Sequence, residues 1–126
     1  MSALNEMSEL INEEVLRTKV SKLQAKELII LKFTAQWCGP CKKIKTLCSN
    51  FEKVKPDSIQ YYEIDIDESL ELYMKMKKMK MLNGIPALFA YSNSTKEHWY
   101  IPDLCHLGSE QTGLEFFFNE CLKYVK

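Results

Sequence analysis

The sequence predicts an α/β domain, with a mixed central sheet of four to five strands covered by helices on both faces. Three observations carry this prediction. Helical and strand-like periodicities alternate along the chain. The run from Leu28 to Ala35, "LIILKFTA", is apolar at almost every position, as a strand buried on both faces must be. The chain closes with two strand-like segments and the clearest amphipathic stripe it contains, Leu114, Phe117, Phe118, Cys121, Leu122 and Val125. A length of 126 residues suits one domain spanning 1–126, large enough to bury a core without metal or disulfide staples.

Each element has its own signal. Val15, Leu16, Val20 and Leu23 lie near helical spacing, which predicts a helix over 12–27, with a short strand possible before it. The strand at 28–35 follows. After Cys38, the residues Cys41, Ile44, Leu47, Cys48 and Phe51 repeat at i, i+3 and i+4, and Pro40 falls in the first turn, where its missing N–H has no intrahelical role. "SIQYYEIDID", 58–67, reads as a second strand, and a helix runs from about Glu68 into "MKMKKMKM", 74–81. "IPALFAY", 85–91, is a third strand. A fourth is expected between Lys96 and Leu107, antiparallel to the third across the polar turn "SNSTK". Thr112 and Glu115 have the spacing of a capping box for the final helix.

Composition narrows the function. The hydrophobic fraction is 46% and the formal net charge is zero, so nothing global points to a nucleic-acid or membrane partner. Sixteen of the seventeen basic residues are lysine, whereas bidentate phosphate or base recognition favours arginine. The opening "MSALNEMSELINEEV" has no basic n-region and no long apolar stretch, and no run approaches the roughly 20 apolar residues of a membrane span. We therefore expect a soluble, cytoplasmic protein. Cysteines at 38, 41, 48, 105 and 121 form an odd set with one close pair, unlike a secreted disulfide framework.

The close pair carries chemistry. Cys38 falls where a strand gives way to a helix, and free N–H groups at a helix start stabilise an anion. This lowers a thiol pKa from about 8.5 toward about 7, making Cys38 a nucleophile near neutral pH. Cys41, one turn on, can resolve a mixed disulfide formed at Cys38. Half a zinc site has the same spacing, but Cys48, Cys105 and Cys121 are scattered and His98 and His106 lack ligand spacing, so no metal is expected.

"FTAQWCGPCK" resembles the active-site segment of the thioredoxin family almost residue for residue. "NGIPALFAY", the "EIDID" strand and Gly108 before the last helix also match, so the resemblance covers roughly Leu28 to Val125. It implies the thioredoxin fold, with Pro86 in the cis form facing the dithiol. It implies a protein-disulfide reductase in which Cys38 attacks and Cys41 resolves. No cofactor beyond the redox-active Cys38–Cys41 disulfide is implied. Gly39 and Pro40 match the residues that shape a reducing dithiol. Trp37, Ile85, Pro86 and Gly108 match the substrate rim, where a bound chain pairs with backbone near Ile85; Trp37 could otherwise be a packing aromatic. The partners implied are disulfide-containing proteins and an NADPH-dependent thioredoxin reductase, in cell redox homeostasis and electron transport.

Lys32 departs from the family, which mostly has a buried aspartate there. Glu63 matches a position that is often lysine in bacterial members, so the same couple stands here with signs exchanged. A Lys32–Glu63 ion pair beneath the dithiol would favour thiolates or let Glu63 relay a proton. Alternatively, Lys32 brings its ammonium to water with little effect on the chemistry. Thr46 stands where the family commonly has a kinking proline, which predicts a straighter helix. The segment 92–107 is longer than usual and either packs its own aromatics or adds a partner surface. In 74–81 the methionines suit core contacts and the lysines solvent, or steering of acidic partners. Cys48 and Cys121 read as buried small hydrophobes and Cys105 as an extra reactive thiol. Two further functions fit the fold: a binding subunit with vestigial redox chemistry, and an oxidant or isomerase.

Overall fold

Asn12 opens the first helix, α1 (Glu13–Ser21), in a computed structural model that describes residues 11–93 and 98–126. Its extended backbone lets the side-chain oxygen accept the Val15 N–H at 2.8 Å, satisfying one donor that a helix start leaves free. Glu13 and Glu14 in the first turn and Lys19 in the last carry the signs that the helix dipole favours. The helix stops at Ser21, short of the expected residue 27. Lys22 and Leu23 donate to Lys19 and Val20 in three-residue turns, and Lys26 adopts φ 65°, which a right-handed helix does not contain. The strand considered before α1 lies outside the described residues.

β1 (Leu28–Thr34) is buried at six of its seven positions because it lies inside the sheet. It runs parallel to β2 (Ile59–Asp65), with Lys32 opposite Glu63, and antiparallel to β3 (Ala87–Tyr91), with Lys32 opposite Leu88. β3 begins two residues later than expected because Pro86 has no N–H to give a ladder. β4 (Leu104–Leu107) pairs antiparallel with β3, and the order is β2-β1-β3-β4. Among the described residues this is a mixed four-stranded sheet with helices on both faces, as the sequence predicts.

Alternation along β1 sorts its residues between two cores. Ile29, Leu31 and Phe33 pack with Leu16 and Val20 of α1 and with Leu72, Tyr73 and Met76 of α4 (Leu70–Lys78). Leu28 and Ile30 pack with Cys48 and Phe51 of α3 (Lys45–Val54) and with the stripe of α5 (Gln111–Tyr124). Phe51 and Phe118 stack there at 4.0 Å. Lys32 shares the parity of Leu28 and Ile30, which directs its side chain to this second face.

Two expectations fail for physical reasons. The helix after Cys38 is not straight, despite Thr46. It breaks at Ile44 (φ −105°, ψ 3°) into α2 (Gly39–Lys43) and α3. Cys41 belongs to the first core, whereas Ile44, Cys48 and Phe51 belong to the second. One straight helix presents one stripe to one layer, so the chain turns between them, and the Ile44 N–H shortens its bond to the Cys41 carbonyl, 3.3 Å away. The final helix is capped by Glu110 rather than by a Thr112–Glu115 box. Glu110 is extended (φ −72°, ψ 122°) and its carboxylate accepts the Gly113 N–H at 3.2 Å, leaving Thr112 inside the first turn.

The long segment after β3 packs on itself. Asp103 Oδ2 accepts from both the Ser92 N–H (2.7 Å) and hydroxyl (2.9 Å), and Trp99 and Tyr100 lie against the first core. Residues 94–97, most of the polar turn, lie outside the described residues. In 74–81, Met76 is buried and Met79 and Met81 partly so, but Met74 is 52% exposed, against the core role expected of it.

Candidate active site

Parallel strands β1 and β2 end on the same edge of the sheet, and the loops leaving that edge build the site. Cys38 is the N-cap of α2, with extended backbone (φ −85°, ψ 109°), and its Sγ accepts the Cys41 N–H at 3.1 Å. In the reduced state this donor favours a thiolate on Cys38. Cys38 and Cys41 are joined as a disulfide, their Cα atoms 5.3 Å apart, inside the usual range for such a bond.

The rim forms on both sides of this bond. The Ile85–Pro86 peptide is cis, and the Ile85 carbonyl oxygen lies 3.9 Å from Cys38 Sγ. Gly108 takes φ 95°, a conformation that glycine adopts without strain. Its N–H donates to the Pro86 carbonyl at 2.9 Å, tying the two loops together. Opposite them, Trp37 is 65% exposed, so it is not a packing aromatic. Its Nε1–H donates to Asp67 Oδ2 at 3.0 Å, and the Asp67 N–H donates to Asp65 Oδ1 at 2.9 Å. Gly39 and Pro40 are exposed beside it, with open space where a Gly39 side chain would stand.

Beneath the disulfide is a cleft of about 300 Å³, lined among others by Cys41, Lys32, Glu63, Lys42, Lys45 and Asp65. Lys32 is 3% exposed and its Nζ lies 3.5 Å from Glu63 Oε2. The couple read from the sequence is therefore a real contact. It is not a buried ion pair, because Glu63 is 60% exposed. Lys32 buries its whole side chain and meets solvent only through the exposed carboxylate it pairs with, so the alternative of an ammonium brought out to water does not hold.

Sequence reasoning missed what shares this face. Burial pushes the Cys48 thiol up, and the Lys32 ammonium opposes that rise. Burial first, then the Cys48 charge and the contact of its hydroxyl with the Cys48 thiol, raises Tyr61 far above its usual range. The parity of Lys32 and the Tyr61–Glu63 alternation were the signals available. Asp67 was also missed, although it follows the end of β2, where ligands gather in α/β sheets. Among the described residues, no three His, Cys, Asp or Glu side chains form a metal-binding group, and no helix is long and apolar enough to cross a membrane.

The thioredoxin family model matches residues 8–103. The chain belongs to the thioredoxin family. It is 33% identical over 82 residues to the thioredoxin of Ophiophagus hannah, covering 65% of this chain and 72% of that protein. It is 29% identical over 73 residues to thioredoxin-1 of Saccharomyces cerevisiae, covering 58% and 66%. The matched stretch thus spans about two thirds of these relatives' length. A Plasmodium falciparum thioredoxin structure superimposes with a TM-score of 0.66 at 22% identity, over 89% of this chain and 97% of that one. Another from the same organism gives 0.62 at 27% identity, over 92% and 84%. The fold is the thioredoxin fold. The family's chemistry is thiol–disulfide exchange, and the Cys38–Cys41 pair gives this thioredoxin-family chain the groups for it.

Proposed function

We propose that the chain, as one domain over residues 1–126, reduces disulfides in protein substrates in the cytoplasm. Electrons come from an NADPH-dependent thioredoxin reductase, and no organic cofactor or metal takes part. The observation that carries this reading is the bonded Cys38–Cys41 pair beneath a rim with a backbone acceptor, the Ile85 carbonyl, 3.9 Å from Cys38 Sγ.

In the reduced enzyme the Cys38 thiolate attacks a substrate disulfide. A Cys38–substrate sulfur bond forms and the second substrate sulfur leaves as thiolate. Cys41 loses its proton and attacks Cys38 Sγ. The intramolecular disulfide closes, the first substrate sulfur departs, and two electrons have moved to the substrate. Trp37, Gly39, Pro40, Ile85, Pro86 and Gly108 hold the substrate chain in extended form beside the sulfur atoms. Lys32 and Glu63 serve the proton that Cys41 must lose. The ammonium favours the thiolate across the shared cleft, and the carboxylate accepts the proton.

A Cys41→Ser variant should hold substrates as mixed disulfides on Cys38, and the parent should equilibrate with glutathione near the thioredoxin potential of about −270 mV. Absence of trapped disulfides, or a potential near −200 mV or above, would overturn the reductant reading.

A further inference from the structure

Helix α4 lies, along the chain, between two parts of the rim. Asp67, three residues before it, holds the Trp37 ring, and residues 79–84 lead from its end to Ile85. Its outer face is apolar where it begins and basic where it ends. Leu70 and Met74, one turn apart, are 55% and 52% exposed. Met74 and Met79, with Lys75, Lys77 and Lys78, line a shallow depression of about 830 Å³.

The charge there is not balanced locally. The chain is formally neutral, yet 74–81 holds four lysines and no acidic residue. Lys75 pairs with Glu13. Among the described residues, Lys77, Lys78 and Lys80 enter no ion pair. Lys77 stands 5.9 Å over the Tyr73 ring, a contact that leaves its charge uncancelled. Lysines near a helix end complement the dipole, but that end carries only about half a negative charge. Three unpaired ammonium groups exceed it.

We propose that this face of α4 is a docking surface for the disulfide substrate itself. An extended substrate segment runs from Trp37 over Leu70 and Met74 and sets acidic side chains against Lys77 and Lys78. The proposal rests on the reading that Trp37 belongs to the substrate rim. The two exposed methionine and leucine side chains adapt to varied apolar shapes, so selection falls on charge. From Leu70 to Lys78 the helix is about 12 Å long at helical rise, which an extended segment covers in about four residues. The acidic residues therefore belong at least about four positions from the substrate's reactive cysteine.

The test uses two peptide disulfides identical except for a pair of glutamates or glutamines at that distance. The parent should reduce the glutamate peptide with a kcat/KM about threefold to tenfold higher at low ionic strength, and the gap should close in 0.5 M salt. A Lys77→Gln, Lys78→Gln variant should lose the preference while reducing the glutamine peptide at the parent rate. Equal rates for the two peptides with the parent, or an undiminished preference in the double variant, would overturn the proposal. Binding of the same peptides with serine for cysteine separates this surface from the chemistry. If neither disulfide is reduced but the glutamate serine-peptide still binds the parent more tightly than the double variant, the reductase reading fails and the surface stands.

Discussion

Replacing Glu63 by glutamine keeps the shape at the mouth of the cleft and removes one charge. What it leaves behind is an ammonium on a side chain only 3% exposed, whose carboxylate partner had been 3.5 Å away. At that separation two unit charges attract by about 1 kcal/mol in bulk water and about 5 kcal/mol at an effective dielectric constant of 20. Glu63 is 60% exposed, so solvent screens the pair and the lower part of that range applies. We expect Glu63→Gln to lose about 1–2 kcal/mol, seen as a urea midpoint about 0.5–1 M lower at pH 7 and low salt. A Lys32→Met, Glu63→Gln double variant should recover most of the loss, because no buried ammonium then lacks its counter-charge. If Glu63→Gln unfolds within about 0.3 kcal/mol of the parent, or the double variant is no more stable than the single, the pair does not compensate Lys32 and the reasoning is wrong.

Four further outcomes follow from the structure. Lys32→Met should make the Cys38–Cys41 couple more reducing by about 10–30 mV in glutathione equilibration, because a cation stabilising the reduced thiolate is gone; a shift to less negative values would refute it. Cys105 is exposed whereas Cys48 and Cys121 are buried, so in the oxidised protein iodoacetamide should label Cys105 first, with the other two reacting only on unfolding, as peptide mass mapping would show. Burial holds Cys121 protonated, from the ordinary 9.0 up to about 12, and raises Cys48 as well. The unfolded chain releases these protons first, so the stability they contribute is intact below pH 9 and falls as pH climbs through about 12, by about 1.4 kcal/mol per group per unit crossed. Alkaline denaturation curves should move to higher pH in Cys121→Ala if this holds, once its lower starting stability is subtracted. Finally, Gly113→Ala should destabilise by about 1–2 kcal/mol in thermal melts, although alanine is the better helix former. Its Cβ would meet His106 Cε1 at 2.8 Å and the capping Glu110 carboxylate at 3.0 Å; a variant as stable as the parent would show that the His106 ring yields freely.

Sequence alone determined much of this protein. Burying one face of an element needs only local spacing, so the period-2 and period-3.6 patterns located the strands and helices seen among the described residues, except that one helix was expected where α2 and α3 stand. Cys38 and Cys41 were legible from the residues themselves, as a thiol at a helix start and a second thiol one turn on, whereas Ile85, Pro86 and Gly108 were reached only through the resemblance to the thioredoxin family. Lys32 announced itself as a charge in an apolar run. What sequence could not decide was which layer each residue meets. Ile44 breaks a helix without any proline because Cys41 and Cys48 serve cores on opposite faces of the sheet. Glu63 pairs with Lys32 from the surface rather than from inside, which makes a costly buried pair into a screened one. Cys48 and Tyr61 join Lys32's side, and Asp67 holds Trp37 across 30 residues of chain. Each of these depends on elements distant in sequence and adjacent in space, and burial, screening and pairing energies are set by that adjacency, which no local pattern encodes.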